Sequence, residues 1–538
     1  MDFLAKIKKR QVSLTLFAIV VIGVFLRTYH FRDWLYFYPD QARDVMVVTN
    51  YLEGKSELPL TGFIAASTKF KLGAMYYYFQ IISGYLFGAR PETMAYPDLF
   101  FSILSIPLFY YLFSRYFTKN LSLALTFLYT ISFYVIKYSR FAWNPNPIPF
   151  FALLFIIALW KFLLEEDRIG WIWVIALGIA LGVGIQLHTL LLLLLPAVVF
   201  FVFIFLMLKN RAVWKKWVVV FALALILNIS QIISEVDKNY ANSKLFLKLF
   251  TSSSQNGKEN LKFNLKLDVL GGSQSNAHII SGLGNKLDFD FLPIIDRKLK
   301  YKYEYGIPFK FPDYLFFSAV FLSVLFFFFG YGALIYYYWK ETRREKKYLL
   351  GLLILYMFLS LIIMHPVMDS LAIRYYIHLV FAPFLFLGFF LKLIQEKLPR
   401  LYVPISLLAV VLLTTTNLIT IGNEAKAHML KNRSSERYVV LGEIEEVGDY
   451  IASQASNKSI YFFAEGKYMQ NFIKPLTYIL GKKDISIIRA KRIADVPVGA
   501  PIIMLGENSV INSGNYFKKY NIESNKNFGQ LGVYIIKN

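Results

Sequence analysis

Long apolar runs alternate with short polar, mostly basic segments along most of this 538-residue chain. A helix needs about 20 mostly apolar residues to cross a bilayer, and runs of roughly that length recur between residues 12 and 420. The pattern predicts eleven crossings: 12–28, 94–114, 119–137, 148–164, 169–187, 189–208, 214–233, 314–338, 347–364, 373–392 and 400–420. We therefore expect an all-α polytopic membrane module over residues 1–422, with outer loops at 30–71 and 234–312.

Basic residues predict the orientation of these crossings. Lys6, Lys8, Lys9 and Arg10 precede the first run, and no small-residue cleavage site closes it, so we expect an uncleaved helix with a cytoplasmic N-terminus. Eleven crossings then place the C-terminus outside. The same parity puts five short basic loops on the inner side, as the positive-inside rule requires: 115–119, 161–168, 209–216, 340–347 and 392–400.

The segment 72–89 could change this count, because it is uncharged and long enough to span a membrane. One more crossing would move all five basic loops to the outer side, against the positive-inside tendency. The segment is also rich in tyrosine at 76–78 and interrupted by Gly73, Gly84 and Gly88. We therefore interpret it as a re-entrant or interfacial element.

A polar tail follows the last apolar run. Residues 436–455 have apolar positions at helical spacing, and strand-like apolar runs follow at 459–463, 485–489, 501–505 and 532–536. This pattern predicts a small soluble α/β domain over residues 423–538, on the extracytoplasmic side.

The composition excludes several classes of protein. With 57% apolar residues, 18% aromatic residues and a mean hydropathy of +0.48, the chain is not a water-soluble enzyme, a coiled coil or a disordered protein. Many of the Lys and Arg residues behind its net charge of +23 lie between apolar runs, which indicates membrane topology and anionic lipid rather than nucleic acid. Because the chain has no cysteine, its chemistry must rely on carboxylates, Arg, Lys or His.

Polar residues from five separated segments fall on the predicted outer side, where an ionisable group is costly unless it is paired or functional. In the first segment Asp40, Arg43 and Asp44 share one helical face, although acids also favour a first helical turn for structural reasons. The other candidates are Lys69, Lys71, Arg140, Asn144, His188, Arg374 and Tyr375. Each has a structural alternative, as an interfacial anchor, a snorkelling side chain or a core histidine.

Arg374 opens an apolar helix on the outer side, against the positive-inside tendency. A guanidinium pairs bidentately with phosphate, so a lipid phosphate is its expected partner. The sequence has no His-x-x-x-His, acidic calcium loop, P-loop or dinucleotide-binding glycine pattern. We therefore expect neither a metal nor a cofactor.

The order of these segments resembles the polytopic, lipid-dependent glycosyltransferases of the GT-C fold, in particular the protein mannosyltransferase and aminoarabinose transferase clan. The resemblance covers about residues 10–420 and rests on short motifs in a fixed order: Tyr38-Pro39-Asp40-Gln41-Ala42-Arg43-Asp44, Leu72-Gly73-Ala74-Met75-Tyr76-Tyr77-Tyr78, Tyr138-Ser139-Arg140-Phe141-Ala142-Trp143-Asn144-Pro145, Gln186-Leu187-His188 and Arg374-Tyr375-Tyr376. It implies that a sugar passes from a polyprenyl-phosphate donor to a glycan, lipid or protein acceptor, with inversion at the anomeric carbon. The expected site of transfer is the outer face of the plasma membrane.

The resemblance also implies roles for individual residues. Asp40 matches the family's catalytic aspartate and would act as a general base toward the acceptor hydroxyl. Gln41 departs from the family, because many members carry a second acid there, and a single carboxylate holds divalent cations poorly. Arg374 would stabilise the leaving lipid phosphate. Arg43 would orient Asp40, and Asp44 is the nearest substitute acid. Lys69, Lys71 and His188 would support Arg374 at the phosphate, with Tyr375 beside Arg374. Arg140 and Asn144 would line the site of the sugar or the acceptor.

Two other functions are compatible with the same residues. A lipid-linked oligosaccharide flippase or polymerase would also bring basic residues to a polyprenyl phosphate, although a flippase needs charges along a path across the whole bilayer. A non-catalytic scaffold that presents the C-terminal domain would leave Asp40 replaceable.

Overall fold

The computed structural model describes residues 2–64, 70–252, 260–282, 313–366, 373–429, 439–455, 458–464, 467–493, 496–497, 500, 502–507, 522–529 and 531–536. Over these residues the chain forms twenty α-helices and two β-sheets. The helices that precede residue 430 are α1 Asp2–Thr28, α2 Pro39–Leu52, α3 Met75–Phe87, α4 Pro91–Met94, α5 Tyr96–Ser114, α6 Lys119–Ile131, α7 Phe133–Lys137, α8 Ile148–Glu165, α9 Trp171–Leu187, α10 Thr189–Lys209, α11 Trp214–Leu227, α12 Ile229–Asp237, α13 Ala241–Ser252, α14 Asn260–Ser281, α15 Asp313–Lys340, α16 Arg344–Met364, α17 Ala382–Lys397 and α18 Pro399–Met429.

Each of the eleven predicted crossings coincides with a helix or a bent pair of helices. Seven helices in the described ranges are long and apolar enough to span a membrane, and the number rises to nine if each of two bent pairs is one span. The bends are 59° between α11 and α12 and 60° between the 3-10 helix Ile373–Leu379 and α17. The two remaining predicted crossings correspond to α9, which has 17 residues, and to α6 with α7, which are separated at Ser132.

The break at Ser132 is held by two neighbouring helices. The Ser132 hydroxyl donates to the Ile279 carbonyl oxygen of α14 at 2.6 Å, and the Phe133 N–H donates to Asn417 Oδ1 of α18 at 2.8 Å. Because the Asn417 side chain accepts from the Phe133 N–H in place of a helical carbonyl, the chain can turn here inside an apolar body.

All five predicted inner loops meet at one end of the helical body. The contacts that join them are Lys209 and Arg344 with Glu166, and Lys346 and Lys392 with Tyr116. The sequence places these loops on one side of the membrane by charge alone, and the structure brings them to one end of the bundle. The parity of the predicted helices is therefore consistent with their packing.

The segment 72–89 forms the strand β2, Lys71–Gly73, and the helix α3. Strand β2 pairs antiparallel with β1, Thr61–Ile64. At about 1.5 Å per residue the 13 residues of α3 extend about 20 Å, well short of an apolar bilayer core. Helix α3 lies against the outer helix α2, where a Cβ added at Gly84 would come within 3.0 Å of Leu52. These features support the interpretation of this segment as interfacial.

The region 234–312, which we predict to lie on the outer side, contains more structure than its polar sequence suggests. It includes α13 and α14, and α14 packs into the helical body next to α15. Asn264 and Asp268 of α14 are each 7% exposed; Asn264 donates to the His365 carbonyl oxygen at 2.9 Å, and Asp268 pairs with the His365 ring. Residues 283–312 lie outside the described ranges.

The C-terminal domain is built on one mixed sheet. Its strands are β3 Ser459–Ala464, β4 Ser486–Arg489, β5 Ile502–Glu507, β6 Ile522–Phe528 and β7 Leu531–Ile536, and its helices are α19 Leu441–Gln454 and α20 Lys467–Gly481. The strand order is β4-β3-β5-β7-β6, in which β3 pairs parallel with β4 and β5 while β7 pairs antiparallel with β5 and β6. The predicted small α/β domain is confirmed, with α20 and β6 as elements that the sequence pattern does not predict.

The orientation can be tested with single cysteines, because the native chain has none. Ser453 is exposed on α19 and Asn120 is exposed at the opposite end, near the inner loops. We expect Ser453→Cys to react with a membrane-impermeant thiol reagent in intact cells, and Asn120→Cys to react only after permeabilisation. The reverse labelling pattern would invert the proposed orientation.

Candidate active site

A cavity of about 230 Å³ lies at the end of the helical body opposite the inner loops. Three segments that are far apart in sequence form its walls: the chain that leads into α2, the hairpin between α7 and α8, and the start of the 3-10 helix Ile373–Leu379. Its lining residues are Tyr36, Tyr38, Asp40, Gln41, Lys137, Tyr138, Phe141, Trp143 and Arg374. One carboxylate, two cations and five aromatic rings thus face the same space.

Asp40 reaches the cavity because α2 begins just before it. Pro39 occupies the first helical position, where its missing N–H costs nothing, and the Tyr38 N–H donates to Gln41 Oε1 at 3.1 Å. The Gln41 amide in turn donates to the Ala142 carbonyl oxygen of the hairpin at 2.7 Å. A carboxylate at position 41 could not donate this bond at neutral pH, so the glutamine joins two walls of the cavity.

Arg43 holds Asp40 and Asp44 in one ion-pair cluster. Its guanidinium lies 2.9 Å from Asp40 Oδ1 and 2.9 Å from Asp44 Oδ1, and it also stacks 4.4 Å from the centre of the Phe63 ring. The two acids differ in environment, because the side chain of Asp40 is 59% exposed and that of Asp44 is 2% exposed. Burial raises the pKa of Asp44 to about 7, against the opposing effect of Arg43.

Arg374 lines the same cavity as Asp40 and lies next to aromatic rings. Its guanidinium is 5.6 Å from the centre of the Trp143 ring and 5.5 Å from that of Tyr375. The hydroxyl of Tyr134, on α7, donates to the Arg374 carbonyl oxygen at 3.5 Å. Helix α7, which ends at the cavity-lining Lys137, therefore contacts the segment that carries Arg374.

His188 and Asn144 lie beside the cavity without lining it. The His188 ring is 5.2 Å from the Tyr375 ring, and its Nδ1 accepts from the Leu190 N–H at 3.1 Å. Burial, reinforced by Arg374, lowers the pKa of His188 to about 4, so this imidazole is neutral at physiological pH. The Asn144 amide donates to the Leu187 carbonyl oxygen at 2.5 Å and fixes the hairpin to the turn between α9 and α10.

Arg140 is 1% exposed and does not line the cavity. Its guanidinium donates to four carbonyl oxygens at the end of α1 over 2.8–3.1 Å, those of Leu26, Arg27, Tyr29 and His30. The last carbonyls of a helix have no intrahelical partner, so Arg140 acts as a cap for α1. Burial lowers the pKa of Arg140 to about 9, which still leaves it charged at neutral pH.

The two candidate lysines are not brought into this cavity within the described residues. Lys69 lies outside the described ranges. Lys71 belongs to β2, and its backbone exchanges two hydrogen bonds with the Asn242 side chain, at 2.6 and 2.9 Å. Lys137, which immediately precedes the quoted hairpin motif, lines the cavity although its sequence pattern does not single it out. The same holds for the lining role of Tyr36, Tyr138 and Trp143.

The residues that the structure describes contain no group of three or more His, Asp or Glu side chains placed to hold a metal ion. On α2, Asp40 and Asp44 are both paired with the guanidinium of Arg43.

Comparison with solved structures shows that the chain shares its fold with ArnT and with an archaeal oligosaccharyltransferase, which agrees with the fold that the sequence resemblance implies. The structure of ArnT from Cupriavidus metallidurans bound to undecaprenyl phosphate aligns with a TM-score of 0.54 at 10% identity, over 97% of each chain. The apo oligosaccharyltransferase of Archaeoglobus fulgidus aligns with a TM-score of 0.53 at 13% identity, over 95% of this chain and 71% of that one. The same archaeal enzyme tethered to an acceptor peptide gives a TM-score of 0.52 at 14% identity, over 98% and 74%.

The sequence itself gives one family match. Residues 72–232 match the family described as dolichyl-phosphate-mannose-protein mannosyltransferase. A search of curated protein sequences finds no match. The matched segment runs from β2 to α12 and includes the hairpin that carries Trp143, whereas Asp40 and Arg374 lie on either side of it.

The position of Arg140 predicts a structural effect on mutation. We expect Arg140→Met to destabilise the protein by about 2–4 kcal/mol, because the Leu26, Arg27 and Tyr29 carbonyl oxygens lose a charged donor, while that of His30 keeps the Asp33 N–H. The measurement is the apparent melting temperature of the purified protein in detergent, with Arg90→Met, an exposed arginine of the same outer region, as the matched control. An unchanged melting temperature combined with weaker substrate binding would instead return Arg140 to the substrate site.

Proposed function

We propose that this protein is an inverting membrane glycosyltransferase that moves a sugar from a polyprenyl-phosphate donor to an acceptor hydroxyl at the extracytoplasmic face. The observation that carries the proposal is the common cavity of Asp40 and Arg374, residues 334 positions apart in sequence. A base and a phosphate-binding cation that face one space are what glycosyl transfer from a lipid phosphate requires.

Asp40 is the proposed general base. Its side chain is exposed to the cavity, so an acceptor can reach it, and its pairing with Arg43 limits the orientations of the carboxylate. In the reaction one Asp40 oxygen accepts the proton of the acceptor hydroxyl while the acceptor oxygen forms its bond to the anomeric carbon. Asp44 is the weaker candidate because it is buried and does not line the cavity.

Arg374 is the proposed partner of the donor phosphate. As the bond between the anomeric carbon and the phosphate oxygen breaks, the leaving lipid phosphate gains negative charge, and a nearby guanidinium stabilises that charge. Lys137 supplies a second cation in the same cavity. His188 is neutral and half-buried, and we assign it to the support of Tyr375 rather than to the phosphate.

We place attack and departure on opposite sides of the sugar. The carboxylate belongs to α2, and Arg374 belongs to a separate segment of the cavity wall, the start of the 3-10 helix Ile373–Leu379. A sugar between them would receive the acceptor oxygen on one face and lose the phosphate from the other, which inverts the anomeric carbon. The aromatic rings of Tyr138 and Trp143 border this space and suit the apolar faces of a sugar ring.

The likeness to known folds supports the same class of substrates. The ArnT structure holds undecaprenyl phosphate, and the archaeal oligosaccharyltransferase structure holds a tethered acceptor peptide. We extend from these only the general classes, a lipid-linked donor and a separate acceptor, which is a glycan, a lipid or a protein. The proposed location is the plasma membrane, with the N-terminus in the cytoplasm and the C-terminal domain outside.

The first test is Asp40→Asn, which keeps the size of the side chain and removes the base. Membranes that contain the wild type or the variant, at matched expression, are supplied with a panel of radiolabelled polyprenyl-phosphate sugars and assayed for transfer of label. We expect transfer by the wild type to fall at least about 100-fold in the variant. Asp33→Asn, which changes an exposed aspartate of the same outer segment, should remain active.

Equal transfer by the wild type and Asp40→Asn would move the base elsewhere, with Asp44 next. Absence of transfer from every donor, together with translocation of a lipid-linked sugar across vesicles, would favour the flippase alternative.

A second test addresses the phosphate with Arg374→Lys, which keeps the charge and removes the planar fork. We expect the KM for the lipid donor to rise about tenfold, because an ammonium cannot reproduce bidentate pairing. Arg343→Lys, an exposed change at the inner end, is the matched control. Unchanged donor kinetics in Arg374→Lys would remove this residue from the phosphate site.

A further inference from the structure

We propose that the C-terminal domain positions one wall of the active site. This wall is the segment Leu35–Tyr38, hereafter the wall segment, which the domain holds in place. This inference rests on the proposed function of the cavity and goes beyond it. It assigns to the C-terminal domain a positioning role in the reaction rather than a separate binding function.

The wall segment is joined to the C-terminal domain through the backbone. Tyr36 forms an antiparallel β-bridge with Val440, and the Leu441 N–H donates to the Leu35 carbonyl oxygen at 2.8 Å. These bonds form directly before α19, the first helix of the domain. The domain therefore supplies backbone hydrogen bonds that an extended segment cannot make within itself.

Side chains of the wall segment alternate between the cavity and the domain, as in any extended chain. Phe37 is fully buried, and its ring lies 5.5 Å from that of Tyr478 on α20. Tyr38 lines the cavity, yet its hydroxyl accepts from the Val439 N–H at 3.2 Å and its ring lies 5.9 Å from that of Phe472. A shift of the domain would therefore move cavity-lining side chains.

The same domain supports the helix that carries Asp40. Ala42, Val45 and Val48 of α2 are fully buried in one apolar cluster with the core of the C-terminal domain, which includes Ile444 and Leu476. Asp40 lies on the first turn of this helix. Because a base must be held to within about an ångström of its proton, the packing of α2 on the domain bears directly on catalysis.

An ion pair at the edge of this interface can be mutated without changing any residue that lines the cavity. The Arg32 guanidinium donates to both carboxylate oxygens of Glu445, at 2.6 and 2.7 Å. Neither residue lines the cavity. Charge reversal at one position would place two like charges together and weaken docking, while reversal at both would restore an opposite pair.

The experiment compares the full-length wild type with Glu445→Arg, Arg32→Glu and the double variant. Hydrogen–deuterium exchange of peptides that cover residues 31–41 measures the order of the wall segment directly. In each single variant we expect exchange of this segment about tenfold faster than in the wild type. We also expect a kcat about fivefold lower with a donor KM within about twofold of the wild type, and recovery of both in the double variant.

Asp449→Arg is the matched control. This residue lies one turn further along α19 and pairs with Lys483 inside the C-terminal domain, at 2.6 Å. Its reversal should change neither the exchange of residues 31–41 nor kcat. A loss of kcat in this control as large as in Glu445→Arg would assign the effect to damage within the domain and overturn the proposal.

Two results on the single variants would also overturn it. Unchanged exchange of residues 31–41 would mean that the domain does not hold the wall segment, and faster exchange with an unchanged kcat would mean that holding it does not matter for the reaction. The exchange measurement does not depend on sugar transfer. An inactive wild type would therefore refute the proposed function, while the exchange data alone would decide whether the domain fixes the cavity wall.

Discussion

Four carbonyl oxygens at the end of α1 share one guanidinium, and the geometry of the cavity depends on that contact. Arg140 caps a membrane helix whose last carbonyls have no partner within the helix. It also stacks on the Trp34 ring, with its guanidinium 4.4 Å from the ring centre. The hairpin that carries Arg140 provides one wall of the cavity, and the chain that leaves α1 provides another. This cap therefore fixes the two walls relative to each other.

The environment separates two aspartates that lie one helical turn apart. Asp40 faces the cavity, whereas Asp44 is buried under the same guanidinium, and burial raises the pKa of Asp44. Gln41 lies between them and has a different task. At the position where the sequence resemblance implies a second acid, the glutamine amide donates to the Ala142 carbonyl oxygen and joins two walls of the cavity.

The fold is shared with proteins whose sequences differ strongly from this one. The solved structures that share it are only 10–14% identical over nearly the whole length of this chain. An apolar bilayer constrains the composition of a crossing far more than the identity of its residues. Helix order and packing can therefore persist while the side chains change.

The sequence by itself predicted the apolar helices of the membrane module and their order, and it grouped the five basic loops that the structure brings to one end. The length of an apolar run and the charge of a loop are local properties, and their effect on membrane insertion does not depend on the rest of the chain. Helical periodicity likewise placed Asp40, Arg43 and Asp44 on one face, because that arrangement depends only on residues within one turn.

Only the tertiary structure decided what these residues touch. Arg140 stands out in the sequence as much as Arg374, but it binds the carbonyl oxygens at the end of α1 instead of lining the cavity. Lys137 lines the cavity at the end of α7, a helix that is separated from α6 by the break at Ser132. The contact between the C-terminal domain and the wall segment joins residues about 400 positions apart. Periodicity and local charge patterns cannot predict such pairings. They describe residues that are near each other in sequence, whereas these contacts form between elements that become neighbours only when the chain packs.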